Sequence, residues 1–196
     1  MFDPYENIIV VDIDGVLLNF LQPLHFWLTE EKGYIFEKAD ENYDISDRYN
    51  IDPKYMKSFM FEFFQTPYFK KLPPYKDAVK WVRKLHEEHG YVFHCISAVP
   101  NIDSIKYLRR ENLETLFGKT VFQKIIHCDI AQNKKKILEK YKDSDCYWIE
   151  DNPQNLNYGL DVGMKGLLMN NFYNKNVITR DYTRVQNWQE IYDLII

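Results

Sequence analysis

The sequence predicts an α/β fold in which a parallel β-sheet lies between two layers of helices. Short apolar runs alternate with amphipathic stretches of about 10–15 residues, as expected for successive strand–helix units. Residues 18–72 interrupt this alternation, because they contain helical patterns but no strand. We therefore predict a core domain formed by residues 1–17 and 73–196, with a small helical cap domain, residues 18–72, inserted after the first strand. This insertion is called the cap segment.

The first strand and the cap segment carry clear local signals. Residues 8–11 form an apolar, β-branched run that is typical of a strand buried on both faces. A helix over residues 18–32 follows, and Gly33 would end it. Asp52 before a proline is an N-cap followed by a first-turn proline, which predicts a helix over residues 53–65.

The strand–helix alternation resumes after two consecutive prolines. An amphipathic helix over residues 75–89 would end at Gly90. The remaining elements, in chain order, are a strand at 91–96, a helix at 103–112, a strand at 124–128, a helix at 134–141, strands at 146–149 and 165–169, and a closing helix at 188–195. Gly159, Gly163 and Gly166 lack the spacing of a dinucleotide-binding fingerprint and are interpreted as turn glycines.

The composition excludes several classes of protein. Apolar residues make up 45% of the chain and aromatic residues 16%, which is too much apolar material for a disordered chain. No run approaches the roughly 18–20 uninterrupted apolar residues of a membrane-spanning helix, and the first residues lack the basic region of a secretory signal. Cys95, Cys128 and Cys146 are too few and too scattered for a disulfide framework. We therefore predict buried, reduced thiols in a cytoplasmic protein.

The charge distribution argues against a long nucleic acid as substrate or partner. The 25 basic and 29 acidic residues leave a net charge of −4, whereas nucleic-acid binding favours a basic surface. Residues 29–48 contain seven acidic and three basic side chains, so this window alone carries a charge of −4. A small acidic cap instead suits a small substrate.

Polar side chains suited to one reaction follow three of the predicted strands. Asp12 and Asp14 come directly after the first strand, Ser97 follows a second strand, and Glu150 and Asp151 follow a third. Because ligands of open α/β sheets bind beyond the carboxyl ends of the strands, we expect these side chains to meet in one site. The helix before the third of these strands opens with three lysines, Lys134, Lys135 and Lys136.

The chemistry of this set of residues indicates phosphoryl transfer. Clustered carboxylates repel one another and stay ionised only when a cation joins them. Mg²⁺ fits, since it commonly binds one or two carboxylates together with a substrate phosphate. One carboxylate could attack phosphorus and form an aspartyl-phosphate, while a second carboxyl group two residues away moves the protons. A hydroxyl group and a lysine could stabilise the phosphoryl oxygens.

The same residues form four motifs that resemble those of the haloacid dehalogenase superfamily of phosphohydrolases. Residues 10–17 resemble its first motif, Ser97 its second, Lys134 its third, and residues 149–153 its fourth. The four motifs occur in the expected order over nearly the whole chain. The resemblance implies a three-layer, Rossmann-like core with a parallel sheet and an inserted cap.

The resemblance also implies a role for each matching position. Asp12 would be the nucleophile and a metal ligand, and Asp14 would be the general acid/base, with its backbone carbonyl also on the metal. Ser97 would bind the phosphoryl group, and Lys134, with Lys135 as a close rival, would stabilise the nucleophile and the phosphate. Because dehalogenases of this superfamily lack the second aspartate, Asp14 favours phosphoryl chemistry.

A narrower resemblance concerns the first and fourth motifs. Residues 12–20 are similar to the opening of the 5′(3′)-deoxyribonucleotidases, which place an aromatic ring against the nucleobase where Phe20 stands. In the fourth motif, Asp151 would hold Mg²⁺ with Glu150 beside it, although those enzymes have aspartate at the position of Glu150. We expect Phe20 and Ala98 to contact the substrate.

Together these patterns predict a Mg²⁺-dependent phosphatase that hydrolyses (deoxy)ribonucleoside monophosphates through an aspartyl-phosphate on Asp12. Three alternatives stay open. They are a phosphatase for another small phosphometabolite such as a sugar phosphate, a phosphomutase, and a catalytically silent fold that serves as a binding module. The intact pair of Asp12 and Asp14 speaks against the last of these.

Overall fold

The centre of the fold is a six-stranded parallel sheet, seen in a computed structural model that describes residues 5–36, 44–129, 133–177 and 182–196. The strands are β1 (Ile8–Val11), β2 (Val92–Ala98), β3 (Phe122–Cys128), β4 (Tyr147–Glu150), β5 (Lys165–Met169) and β6 (Thr183–Val185). Their order across the sheet is β3-β2-β1-β4-β5-β6, and every neighbouring pair is parallel. The predicted α/β class is confirmed.

Helices connect the strands along the chain. They are α1 (Leu21–Phe26), which continues as a π-helical turn (Trp27–Glu31), α2 (Ile45–Arg48), α3 (Pro53–Phe63), α4 (Pro67–Lys70), α5 (Ala78–His89), α6 (Asp103–Phe117), α7 (Lys135–Leu138), which continues as a 3₁₀ turn (Glu139–Tyr141), α8 (Pro153–Leu160) and α9 (Trp188–Ile195). A further 3₁₀ turn (Phe172–Asn174) follows β5.

Alternate residues of β1 face two separate parts of the core. Ile9 and Val11 belong to an apolar cluster that includes side chains of α5, α6, α9 and the cap segment, whereas Ile8 and Val10 belong to a cluster with α7 and α8. Because successive strand residues point to opposite faces, burial on both faces requires consecutive apolar residues. The molecule therefore has the three predicted layers, with β1 in the middle.

The two ends of the cap segment pair with each other where they meet the core. The backbone N–H of Asn19 donates to the carbonyl of Pro73 at 2.9 Å, and the N–H of Tyr75 donates to the carbonyl of Leu17 at 2.8 Å. The chain thus leaves and re-enters the core at one place.

Aromatic rings fill the interior of the cap segment. The ring centroid of Phe63 lies 5.4 Å from that of Phe20 and 5.6 Å from that of Trp27. Phe64 packs edge-on against Phe69 at 4.9 Å. These rings therefore hold the helices of the cap segment together.

Several element boundaries differ from the prediction, most of all those of α1 and α6. Helix α1 begins at Leu21 rather than at residue 18, because the N–H groups of Leu17 and Leu18 donate to the carbonyl of Ile13 and fold this stretch into turns. Helix α6 extends five residues beyond the predicted end, to Phe117. Its last turns continue an apolar face that is buried against the sheet.

The interpretation of the late glycines was wrong for two of the three. Gly159 lies inside α8 and Gly166 inside β5, while Gly163 does occupy a turn with a φ of +85°. A β-carbon at Gly159 would collide with the indole of Trp148. Helix α8 itself was not predicted, although Asn152 followed by a proline is an N-cap signal, and the Asn152 side chain accepts from the N–H groups of the first turn.

Some sequence predictions fall partly outside the described residues. Four charged residues of the acidic window, Glu37, Lys38, Asp40 and Glu41, lie there, as do the first four residues of the chain. All three cysteines are buried as free thiols. Within the described ranges, no helix combines the length and the apolar character needed to cross a membrane.

Candidate active site

The predicted site residues meet at the carboxyl ends of three adjacent strands. Asp12 follows β1, Ser97 is the penultimate residue of β2, and Glu150 ends β4. Because β1 pairs with both β2 and β4, these three ends are neighbours. The N–H of Asp12 also donates to the carbonyl of Ile149 at 2.9 Å, so the sheet positions Asp12 directly.

Lys134 is the lysine of the triple-lysine run that enters the site. It is buried, and its Nζ lies 2.8 Å from Asp12 Oδ1 and 2.8 Å from Glu150 Oε2. Lys135 and Lys136 are exposed. Burial by itself would lower the pKa of Lys134, but the two carboxylates outweigh it and raise that pKa above its usual value.

Asp12, Glu150 and Asp151 form a compact group, called here the carboxylate cluster. One oxygen from each residue lies within 4.8 Å of the others, and all three side chains are buried. Burial, followed by repulsion from Glu150, raises the pKa of Asp12 to about 7. Burial and the charge of Asp12 raise the pKa of Asp151 to about 6.

This donor set fits a hard divalent cation. Lys134 contacts two of the three buried carboxylates, Asp12 and Glu150, so the negative charge of the cluster exceeds the positive charge beside it. Carboxylate oxygens are the ligands that Mg²⁺ prefers. The members differ in how far their oxygens are already engaged. Glu150 accepts from the N–H groups of Asp151 and Asn152 at 3.1 and 3.0 Å, in addition to Lys134, and has no exposed surface. Burial raises the pKa of Glu150 to about 7, with Lys134 acting in the opposite direction.

Asp14 lies beside the carboxylate cluster and faces a buried arginine. Nη2 of Arg109 donates to Oδ2 of Asp14 at 2.9 Å, and Nη1 lies 2.8 Å from Oδ1. Burial raises the pKa of Asp14 to about 6, although Arg109 acts to lower it. The sequence reasoning missed Arg109. The sequence does contain one indication of its burial. Arg109 lies four residues after Ile105 and four before Leu113, which places this charged residue on the apolar, buried face of α6.

Ser97 lies near the carboxyl end of β2, but its side chain is not among those that line the adjoining cavity. It is buried, and among the described residues its hydroxyl oxygen has no hydrogen-bond partner. A buried hydroxyl group without a partner is costly, so a substrate oxygen that could accept its proton would be favoured there. Ala98, the next residue, lies on the wall of the adjoining cavity.

A polar network behind Asp151 was not assigned any role from the sequence. The Tyr173 hydroxyl donates to Asp151 Oδ2, and the Asn174 amide donates to the Asp151 carbonyl at 2.8 Å. Asn174 in turn accepts from Arg184 at 3.0 Å. The turn after β5 therefore holds Asp151 in place through both its side chain and its backbone.

A cavity of about 210 Å³ adjoins the carboxylate cluster on the side of the cap segment. Four charged side chains of the core, Asp12, Asp14, Lys134 and Asp151, face four apolar side chains of the cap segment, Phe20, Leu21, Met60 and Phe64. Arg48 of the cap segment also lines this cavity. A second cavity of about 350 Å³ shares Phe20 and Tyr173 with the first. The site therefore has a floor that could bind phosphate once a cation joins its carboxylates, and a roof with aromatic rings that suits an organic group.

The parallel sheet with an inserted helical segment after β1, and an aspartate pair at the end of that strand, are the arrangement that the resemblance to the haloacid dehalogenase superfamily implies. Solved structures share this fold. The fold matches a haloacid dehalogenase-like family hydrolase from Streptococcus pneumoniae with a TM-score of 0.70, at 11% identity, covering 97% of this chain and 98% of that one. It matches a predicted phosphoglycolate phosphatase from Haemophilus somnus with a TM-score of 0.66, at 12% identity and the same coverage.

Within that class the chain belongs to the family described as 5′ nucleotidase, deoxy (Pyrimidine), cytosolic type C protein, whose sequence model matches residues 6–196. The predicted superfamily and the likeness to deoxyribonucleotidases are confirmed, and the protein is a phosphoric monoester hydrolase. A relative from Enterobacteria phage T4, described as an uncharacterized 32.4 kDa protein in the Gp30-rIII intergenic region, is 24% identical over 193 residues. That match covers 93% of this chain and 67% of the relative.

Proposed function

We propose that this protein is a Mg²⁺-dependent, cytoplasmic phosphatase that hydrolyses (deoxy)ribonucleoside monophosphates through an aspartyl-phosphate on Asp12. The observation that carries the proposal is the meeting of Asp12, Lys134 and Asp151 on the floor of a cavity whose roof is aromatic. The floor offers Lys134 and carboxylate ligands for a cation that would bind a phosphate group, and the roof offers rings for a nucleobase.

Asp12 is suited to act as the nucleophile. Its Oδ1 is held by Lys134 at 2.8 Å and by the N–H of Ile13 at 2.7 Å, so Oδ2 is the oxygen to attack phosphorus. The new bond joins Oδ2 to phosphorus while the ester P–O bond breaks and the electron pair leaves with the alcohol oxygen. Lys134 balances the negative charge that gathers around the phosphoryl group.

Asp14 moves the protons of the reaction. Protonated, it gives its proton to the departing alkoxide; ionised, it then takes a proton from the water that attacks the aspartyl-phosphate. That water restores the Asp12 carboxylate and releases phosphate. Ser97 offers its unpaired hydroxyl group to a phosphoryl oxygen.

Asp12 and Asp151, with the backbone carbonyl of Asp14, would hold Mg²⁺, which supplies positive charge that lets an anionic nucleophile approach an anionic phosphate. Glu150 belongs to the same cluster, but Lys134 and two backbone N–H groups already engage its oxygens. We therefore assign Glu150 chiefly to holding Lys134.

Phe20 is the proposed contact for the nucleoside. It lines both cavities, and its ring is fixed edge-on against Phe63. A ring held rigidly costs little further entropy when a base stacks on it, and base–aromatic stacking contributes about 1–3 kcal/mol. Ala98, on the same cavity wall, leaves room for the substrate because its side chain is small.

The experiment is a phosphate-release panel with Mg²⁺ and with EDTA, using nucleoside monophosphates, sugar phosphates and a 3′-phosphorylated oligonucleotide. We expect release from mononucleotides to exceed release from the other substrates, and to need both Mg²⁺ and Asp12. Asp12→Asn should lower the rate by at least about 1000-fold, because the amide is a poor nucleophile. Asp129→Asn is the matched control, since this residue lies outside the site.

The other outcomes decide between the alternatives. Asp12-dependent release from sugar phosphates alone would retain the phosphatase and overturn the nucleotide assignment. Isomerised product in place of free phosphate would identify a phosphomutase. Faster release from the oligonucleotide than from the mononucleotide would contradict the expectation of a small substrate.

A further inference from the structure

Arg109 is a buried cation that none of the sequence motifs includes. It lies in the middle of α6, and only 1% of its surface is exposed. A buried charge is retained only where its partners compensate for the loss of water. Those partners come from two sides, the catalytic floor and the cap segment.

On the catalytic side the partner is Asp14. The two terminal nitrogens of Arg109 face the two carboxylate oxygens, at 2.9 Å from Nη2 to Oδ2 and 2.8 Å from Nη1 to Oδ1. The contact of Nη2 with Oδ2 is a hydrogen bond, whereas Nη1 and Oδ1 form an ion pair without hydrogen-bond geometry. The guanidinium group therefore holds one carboxylate oxygen directly and places positive charge beside the other. Asp14 still reaches the cavity, since 27% of its side chain is exposed.

On the cap side the partner is Phe69. The guanidinium carbon lies 4.7 Å from the ring centroid of this residue, which belongs to α4. One turn further along α6, the Asn112 amide holds the end of the cap segment, accepting from the Leu72 N–H at 3.0 Å and donating to the Leu72 carbonyl at 3.1 Å. Arg109 thus fills the space between Asp14 and the seated cap segment.

We propose that Arg109 is a positioning residue that holds the Asp14 carboxyl group in the orientation needed for proton transfer when the cap segment is seated. This proposal rests on the proposed role of Asp14. Arg109 is not one of the side chains that line the cavity of about 210 Å³, whereas Asp14 is, so Arg109 acts through Asp14 rather than on the phosphate.

The test compares two substrates whose leaving groups differ in their need for a proton. Phenyl phosphate releases a phenoxide, and an unperturbed phenol has a pKa of about 10. The nitro group of p-nitrophenyl phosphate stabilises the departing anion, so this substrate depends less on a general acid. The ratio kcat/KM is measured for both, because it reports the steps up to the loss of the leaving group.

We expect Arg109→Met to lower kcat/KM for phenyl phosphate by about 100-fold and for p-nitrophenyl phosphate by less than about 5-fold, since general acid catalysis contributes about 10²–10⁴-fold. Asp14→Asn should show the same selectivity. In the Asp14→Asn background, Arg109→Met should cost no more than about 2-fold, because residues that act as a unit are not additive. Arg110→Met is the matched control, since Arg110 is the exposed neighbour on α6 and, within the described part of the chain, pairs only with Glu114, at 3.3 Å.

Arg109→Lys keeps the variant set informative if the methionine variant folds poorly. Lysine retains the charge but cannot face both oxygens, so we expect an intermediate, equally selective loss of about 10-fold. An equal loss with both substrates would assign Arg109 to phosphate binding or general stability and overturn the proposal. An unchanged or increased kcat/KM for phenyl phosphate would overturn it as well. Because neither substrate is a nucleotide, failure of the nucleotide assignment leaves this test intact.

Discussion

Asp151 differs from its neighbours in the carboxylate cluster in the donors that it meets. Asp12 and Glu150 both contact Lys134 at 2.8 Å, whereas the side chain of Asp151 accepts from the neutral hydroxyl of Tyr173. A buried carboxylate without a full countercharge is destabilised. Asp151 is therefore the member of the cluster whose charge an additional cation would stabilise most.

Gly15 allows the close approach on which this arrangement depends. Its φ is +76°, and a β-carbon there would collide with Asp151 Oδ2 and lie 2.7 Å from the Tyr173 hydroxyl. Gly15→Ala should displace Asp151 and weaken binding of a divalent cation by about 10–100-fold, as changes around metal ligands commonly do. The affinity is measured by titration with Mn²⁺ monitored by electron paramagnetic resonance.

The control for Gly15→Ala separates collision from backbone strain. Gly33 has a similar φ of +71°, but no atom of the described residues lies within 4 Å of the position that its β-carbon would take. Gly33→Ala should therefore destabilise the fold slightly and leave the Mn²⁺ affinity unchanged. Equal Mn²⁺ affinities of wild type and Gly15→Ala would contradict the assignment of Asp151.

At the scale of the elements, α6 joins the core to the cap segment. We propose that residues 18–72 form a separate cap domain, and the paired chain crossings at its two ends support this division. The Asn112 side chain adds two hydrogen bonds to the backbone of Leu72, at the predicted boundary itself. One helix therefore carries both the anchor of the cap segment and the arginine that faces Asp14.

Asn112→Ala tests this anchor. It would leave the buried N–H and carbonyl of Leu72 without their partner, and each such group costs about 1–3 kcal/mol. We expect the free energy of unfolding in urea to fall by about 2–4 kcal/mol, with a higher KM because the cap segment is held less firmly. Asn101→Ala is the control. This exposed asparagine accepts a hydrogen bond from Lys106 and from no other residue that the structure describes, so its loss should change stability by less than about 0.5 kcal/mol. Equal free energies of unfolding for the two variants would contradict the role of Asn112 as an anchor of the cap segment.

At the scale of the whole molecule, the carboxylate cluster couples stability to pH and to metal. Asp12 and Glu150 have pKa values of about 7 in the folded protein, above their ordinary values of 3.8 and 4.5. Between the ordinary value and about pH 7, the folded state therefore binds more protons than the unfolded state. Stability contributed by such groups is present at low pH and is lost as the pH rises through about 7. Burial also lowers the pKa of His94 and lowers that of His127 to about 4. These histidines make stability increase as the pH rises, but only below about pH 6.5, the pKa of an unperturbed histidine.

We therefore expect the melting temperature in EDTA to fall by a few degrees between pH 6.5 and 8. Each unit of pKa shift corresponds to about 1.4 kcal/mol of free energy. In a chain of this size, each kcal/mol of stability changes the melting temperature by about 2–4 °C. Mg²⁺ should raise the melting temperature more at pH 8 than at pH 6, since it binds the ionised cluster. Asp12→Asn should flatten both trends. A melting temperature that rises across this interval, or a Mg²⁺ effect independent of pH, would contradict the coupling.

Sequence patterns alone predict the fold class, the order of the motifs and the edge of the sheet at which the motifs meet. These predictions depend on features that are local in the chain. Burial on both faces shows in four consecutive apolar residues at 8–11, and Asp12, Ser97 and Glu150 lie at or next to their own strand ends. Once the strands are parallel, their carboxyl ends share one edge, and the side chains are brought together without further information.

The pairing of side chains, in contrast, depends on how the chain packs. In the folded protein, Lys134 is the one of three consecutive lysines that contacts Asp12. Arg109 lies opposite Asp14, 95 positions away in the chain, and Tyr173 contacts Asp151. Sequence patterns report how often a position is buried, because burial follows the period of a helix or strand. They do not report how two elements dock, because the packing of the whole core determines that docking. The partner of a buried charge depends on the docking and therefore cannot be read from the pattern.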